Sequence, residues 1–328
     1  MARLAVSLVL AMFVVAAGAG AGSPTAAPID LGGRVVQLVG AHGSLWVLTC
    51  DRRCGGEGRR SVGRVVRIDP RSGRPARSAS LPRPGALAVG PRDVYATDFW
   101  RNALRRLDPR TLRVTATRRL SLPFRCPPAG DREFFPAHVG AAASGAWVTT
   151  ARCAVARVGR LLRRVVVVRL PPKAPGDLAV ARDAVWIAGG RRVYRIDPRT
   201  DRVVARIRIG RVLAYVSARW VALGGGRALA VGSRVRGVAS TDEQVLARID
   251  PRTNRVLGVT PLPRGRLAVA FGRGSLWVGR SASGRLQRID PRTGQVVAEI
   301  AAPVGTALAV VGGRVWTAYA NGTVRAIG

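Results

Sequence analysis

Residues 284–303 read GRLQRIDPRTGQVVAEIAAP, and the reading of this stretch decides the fold. Leu286, Arg288 and Asp290 alternate with Gln287 and Ile289, then Val296, Ala298 and Ile300 alternate with Val297 and Glu299. That is period two on both sides of a break, the pattern of strands. The break is chemically specified. Asp290 can accept bonds from backbone N–H groups ahead of it, Pro291 presets φ for the first corner of a type I turn, and Gly294 suits the left-handed position that returns the chain. A helix through Asp-Pro-Arg-Thr-Gly would lose a donor at the proline, so the stretch reads as a β-hairpin.

The same turn signal starts at Asp69, Asp108, Asp197, Asp250 and Asp290, at intervals of 39, 89, 53 and 40 residues. The long interval hides a worn copy: ARVGRLLRRVVVVRLP from Ala156 aligns with ARIDPRTNRVLGVTPLP from Ala247 and puts Gly159 where the aspartate belongs. Ahead of each hairpin recur a small apolar run, a turn and an aromatic strand. The aromatic position is Trp46, Tyr95, Trp147, Trp186, Trp277 and Trp316, with Leu229 in the remaining copy. Seven copies of a four-stranded unit, 39 to 52 residues apart, have the spacing of propeller blades. The expected fold is therefore all-β, a seven-bladed β-propeller with four-stranded antiparallel blades. The last copy stops at Gly328 without its fourth strand, and residues 27–32, APIDLG, resemble strand endings such as RIRIG. This N-terminal strand is expected to complete the last blade and close the ring. The small apolar runs, ALAVG or LAVAF, read as inner strands buried on both faces, and the arginine-bearing hairpin strands as outer ones.

Residues 1–22 carry one basic residue, Arg3, then an apolar run and small residues with A-x-A cleavage options, the pattern of a secretory signal peptide. Residues 23–328 form a single propeller domain, expected to be secreted or held in the cell envelope as a monomer, with no stable membrane insertion after cleavage. Four cysteines agree with an oxidising compartment. The preferred pairing is Cys50 with Cys54 and Cys126 with Cys153, a four-cysteine zinc site being the alternative. The net charge is +36, and every basic residue but Lys173 is arginine. Such a field attracts nucleic acid and other anionic polymers nonspecifically, although the arginines are spread over all repeats. Arg67, Arg106, Arg157, Arg195, Arg248 and Arg288 recur two places before the turn. Repetition in six blades assigns them a structural task.

Loops leaving the aromatic strands and loops joining blades fall on one rim; the Asp-Pro-Arg turns fall on the other. The first rim carries the insertions and the residues read as ligand-binding candidates: Asp98, Trp100, Asp131, Glu133, His138, Asp242 and Glu243. The loop TDFWRN is expected to expose Asp98, and His138 is paired in this reading with Glu133. No phosphate-cradling loop, nucleophile elbow or metal-ligand cluster stands out, so no catalytic residue, metal or cofactor is assigned.

Residues 193–210, VYRIDPRTDRVVARIRIG, and residues 274–300 resemble the YVTN-type propeller repeat family, although LWVG, VWIA and VYAT replace the tetrapeptide that names it. The resemblance covers essentially the whole mature chain and implies a secreted seven-bladed propeller without naming a ligand, members being described as binding or surface proteins, some with affinity for DNA; the partner expected here is an unknown small molecule or envelope protein. GSLWV and GRLQRID also resemble streptogramin lyase propellers, whose chemistry uses histidine, glutamate and a divalent metal. Here the histidines are His42 and His138, with no His-x-x-Glu cluster. Quinone-dependent dehydrogenase propellers share the Asp-x-x-Thr-Gly turn but use eight blades. The favoured reading is a non-catalytic binding or scaffold propeller; the alternatives are a lyase-like metal-dependent enzyme and nonspecific polyanion or DNA binding.

Overall fold

The computed structural model describes residues 27–51, 61–98, 100–126, 131–133, 136–150, 153–171, 176–211, 214–236, 239–280 and 284–327. The signal segment, Cys54, Phe99, Phe134 and Phe135 lie outside the described residues. Blade one pairs Arg34–Ala41, Ser44–Cys50, Val62–Ile68 and Pro75–Pro82 in that order, each antiparallel to the next. Blades two (from Pro84–Val89 to Val114–Arg119), three (Pro136–Ala142 to Val165–Arg169), four (Leu178–Val180 to Arg202–Arg208) and six (Leu267–Gly272 to Val296–Ala301) repeat the order. Blade five gains a short outer partner for its first strand, Gly210–Arg211, and continues its insertion as a long ribbon of Arg227–Arg236 against Ala239–Asp250.

Blade seven supplies Ala307–Val311, Arg314–Ala318 and Thr323–Ile327, and its fourth strand is Ile29–Asp30 from the other end of the chain. Ile29 lies opposite Val324 and Asp30 opposite Thr323, and Leu31 N–H donates to Gly322 O at 3.2 Å. The first strands of successive blades contact one another all the way round, from blade one through blade seven and back. The fold is a closed seven-bladed β-propeller.

Among the described residues the buried apolar side chains fall into seven clusters, each shared by two neighbouring blades. The core is thus seven seams, not one centre. The strand that is buried on both faces is the second, aromatic one: Ser44–Cys50, Gly145–Thr150 and Val185–Gly189 are buried at every position. The first strands also pack on both faces, as expected, but less completely: in Leu267–Gly272, Ala268 and Ala270 enter the seam with blade seven, while Leu267, Val269 and Phe271 pack against the seam with blade five. Small side chains there fit a crowded circumference.

The hairpin turns follow their sequence closely. Asp69, Asp108, Asp197, Asp250 and Asp290 each accept, through Oδ1, the N–H two residues on, at 2.6–2.9 Å. Their carbonyls accept the N–H four residues on, and that fifth residue is left-handed: Gly73, Leu112, Asp201, Asn254 and Gly294 have φ between 57° and 77°. The N–H bonds hold Asp108 and Asp250 below the usual carboxylate range, Thr111 N–H being the main cause at Asp108 and Arg252 N–H at Asp250. The worn copy still turns but more tightly: its left-handed residue, Leu162 at φ 58°, is three places on and donates its N–H to Gly159 O at 2.7 Å.

The recurrent arginines have a task that composition did not reveal. Five stand directly across the strand pair from their blade's aromatic residue, as Arg67 from Trp46 and Arg195 from Trp186, and Arg248 stands across from Leu229. The guanidinium carbons of Arg67, Arg195 and Arg288 lie 5.4, 5.4 and 5.9 Å from the centroids of Trp46, Trp186 and Trp277. The far end then crosses a seam. Arg106 donates to Arg160 O at 2.9 Å, Arg157 to Pro198 O at 2.7 Å and Arg195 to Pro251 O at 2.6 Å, while Arg248 donates to Arg292 O. In each case the acceptor is a main-chain carbonyl in the next blade's hairpin turn. Arg157 adds an ion pair with Asp201 of that turn at 2.9 Å.

Arg195→Met keeps the apolar stem but loses the ring contact and the bonds to Pro251 O and Asn254 Oδ1. It is expected to lower unfolding stability by roughly 1–3 kcal/mol in a denaturant titration, whereas the same change at exposed Arg118 leaves the midpoint in place.

Candidate functional site

The insertion-bearing rim is where strands one and three begin and strand two ends. Of its predicted residues, Asp98 is the last residue of the strand Val94–Asp98 and is completely buried. Its Oδ2 accepts from Arg105 Nη2 at 2.8 Å and its Oδ1 accepts Arg101 N–H at 3.0 Å. Arg105 Nη1 donates in turn to Pro82 O of blade one at 3.0 Å. Asp98 therefore does not face solvent as expected; it is a seam residue that neutralises a buried arginine. Trp100, two residues on, is 48% exposed.

His138 opens the first strand of blade three, opposite Thr149. The side chain of Glu133, its expected partner, lies outside the described residues. Nδ1 lies 3.9 Å from Oδ1 of Asp177, which precedes the first strand of blade four, so the pair bridges two blades at the mouth of the ring. Asp177 is tied further round: its N–H donates to Arg219 O at 3.4 Å, and its Oδ2 accepts Val221 N–H at 3.5 Å, both on blade five. Burial pushes the Asp177 carboxyl above the usual carboxylate range, an effect that His138 and the N–H donors partly oppose.

Glu243, on the third strand of blade five, is held by Arg234 Nε at 3.3 Å and Arg264 Nη2 at 3.6 Å. Asp131 and Glu133 belong to a short strand, Asp131–Glu133, paired with Ser121–Cys126 outside the blades. Asp242 is on the blade-five ribbon. The side chains of these three lie outside the described residues. Cys50 and Cys153 are buried and neither is free, while Cys54 and the Cys126 side chain lie outside the described residues.

The described candidates do not converge. Asp98, His138 and Glu243 each pair with a residue that was not singled out from the sequence. Asp177 was legible: Gly176-Asp177 stands before an apolar first strand, as Ala137-His138 does one blade earlier. The His138–Asp177 pair offers one imidazole nitrogen and one carboxylate, enough to hold a proton between them. It is two donors short of a metal cage, and among the described residues no group of three metal-ligating side chains occurs. The described residues do not form a lyase-type metal site.

No protein-family model and no curated protein sequence matches the chain. Solved structures do. Hydrazine synthase from Kuenenia stuttgartiensis superposes with a TM-score of 0.68 at 14% identity, over 92% of this chain and 97% of that one. Streptogramin B lyase gives 0.65 at 15% identity over 91% and 94% of the two chains. BamB from Moraxella catarrhalis gives 0.56 at 13% over 92% and 98%. Identities this low establish the propeller fold and transfer no activity.

Asp98→Ala strands the buried Arg105 charge and is expected to cost about 3–5 kcal/mol, read as a lower denaturant midpoint; the double change Asp98→Ala with Arg105→Met recovers much of that loss. The raised carboxyl of Asp177 means that the folded chain binds more protons there than the unfolded chain. Stability attributable to this group falls as pH rises from the ordinary carboxylate range through the raised value. Asp177→Asn is expected to flatten that fall in denaturant midpoints measured from acid to neutral pH.

Proposed function

We propose that the chain is an exported, non-catalytic propeller of the YVTN-repeat type, a monomeric binding or scaffold protein of the cell envelope that receives a small molecule or an envelope protein on the insertion-bearing rim. The asymmetry of the two rims carries this reading. One is built from near-identical Asp-Pro-Arg turns; the other gathers the half-exposed Trp100, the His138–Asp177 pair at the mouth of the ring and the blade-five ribbon. Exposed aromatics beside variable loops on a rigid ring suit recognition. Export is supported by the apolar leader over residues 1–22 and by the absence of a free thiol at Cys50 or Cys153, and the pairing proposed is Cys50 with Cys54 and Cys126 with Cys153.

Intact mass of the chain recovered from culture medium and envelope fractions, before and after reduction, tests the proposal. The expected species starts near residue 23, gains four hydrogens on reduction and carries a bound partner in native mass spectra. Trp100→Ala releases that partner without shifting the melting temperature. A full-length reduced chain, or a partner indifferent to Trp100, overturns it. The lyase reading has one observation of its own, an acid–base pair on a ring that resembles streptogramin B lyase in fold. Turnover of a streptogramin B that is abolished by chelator and by His138→Ala would replace the favoured reading.

A further inference from the structure

On the opposite rim, a cavity of roughly 500 Å³ opens where blade seven meets blade one. Its wall includes His42 and Ser44 from the turn between the first two strands of blade one, Arg67, Asp69 and Arg71 from the hairpin of that blade, and Gly312 from blade seven. This seam lacks the donor itself. Blade seven has Ala326, not arginine, opposite Trp316, so no guanidinium crosses from it to the turn of blade one. The seam is closed instead by Pro70 packing on Gly312, where a Cβ would come within 2.8 Å of the proline ring.

Arg67 faces the cavity in a state that it shares with Arg288. Its guanidinium is fixed, lying 5.4 Å over Trp46 with Nε donating to Ser44 Oγ at 3.0 Å. Among the described residues its Nη1 and Nη2 have no protein acceptor, unlike those of Arg106, Arg157, Arg195 and Arg248 that reach the next blade's carbonyls. A rigid, half-buried fork with two free N–H edges matches the two oxygens of a carboxylate or phosphoryl group. The one carboxylate on the wall, Asp69, has Oδ1 turned to Arg71 N–H at 2.8 Å within its own turn. Arg71 extends its own positive charge beside that turn. His42 is held at φ 47°, a left-handed conformation that a side chain adopts at a cost of order 1 kcal/mol. We propose that this cavity binds a small anionic molecule of metabolite size, its carboxylate or phosphoryl oxygens held in the fork of Arg67 and flanked by His42 and Arg71.

The site is on the far rim from the surface proposed for partners and stands independently of it. Calorimetric titration of the full exported chain with inorganic phosphate, and separately with succinate, in moderate salt tests it. Saturable one-to-one binding of phosphate alone assigns a phosphoryl ligand, and of succinate alone a carboxylate; binding of both assigns the shared oxyanion chemistry. Arg67→Gln is expected to weaken the bound probe about tenfold or more. Arg288→Gln, which removes the equivalent guanidinium over Trp277 with its Nε on Ser275 Oγ, is expected to leave binding intact. His42→Gly relieves the left-handed position without disturbing Arg67 and is expected to weaken binding several-fold with unchanged or higher thermal stability. Failure of both probes to saturate, or an equal loss in Arg67→Gln and Arg288→Gln, overturns the proposal and leaves only the diffuse field of the arginines.

Discussion

A four-stranded blade cannot cover its own faces, and every part of this molecule answers to that constraint. Each of the seven apolar clusters belongs to two blades, so a blade without two neighbours would leave a cluster half open to water. The ring removes all such ends at once, but only if its last sheet finds a fourth strand. Two residues, Ile29 and Asp30, provide it from the beginning of the chain. Their side chains contribute little area on their own. Their importance is topological, since the cluster between blades seven and one, with Trp316 and Ile68, is buried on condition that the two ends meet.

Much of this was legible because the signals are local. An Asp-Pro-Arg-Thr turn needs only its own side chain and backbone, and the strands beside it alternate regardless of their neighbours. Repetition then supplied the blade count, and even Gly159 could be recognised as a worn turn. The readings that failed depend on contacts distant in sequence. Small apolar residues did suggest strands packed on both faces, but not that the aromatic strand beside them, closed in by both neighbouring blades, is the more completely buried. Asp98 looked like a loop carboxylate because the loop is short and polar; its partner Arg105 comes from across a strand pair. Asp177 was missed as a neighbour of His138 because, some forty residues on, it lies beside the imidazole only where blades three and four adjoin.

The arginines illustrate how composition misleads. A chain with net charge +36 invites an account based on attraction to anions, and the field is real. Yet the six recurrent ones are occupied with the fold: Arg67, Arg195 and Arg288 lie over an indole, and Arg106, Arg157, Arg195 and Arg248 bond to a neighbouring blade. Arginine suits this task where lysine does not, since a planar, weakly hydrated group can lie on an aromatic face and still direct several N–H bonds along its edge. Charge available to a ligand is then a matter of which guanidinium edges the architecture leaves open.

The seam arginines aim at main-chain oxygens, and this has a consequence for how such a molecule can change over time. A carbonyl is offered by any residue, so the receiving turn is free to lose its consensus without severing the link. Arg106 still finds Arg160 O in the copy that has lost both aspartate and proline. Conservation pressure should therefore fall unequally on the two sides of each seam: heavily on the donor and the ring beneath it, lightly on the loop that accepts. A propeller wired in this fashion can diversify blade by blade while remaining a circle.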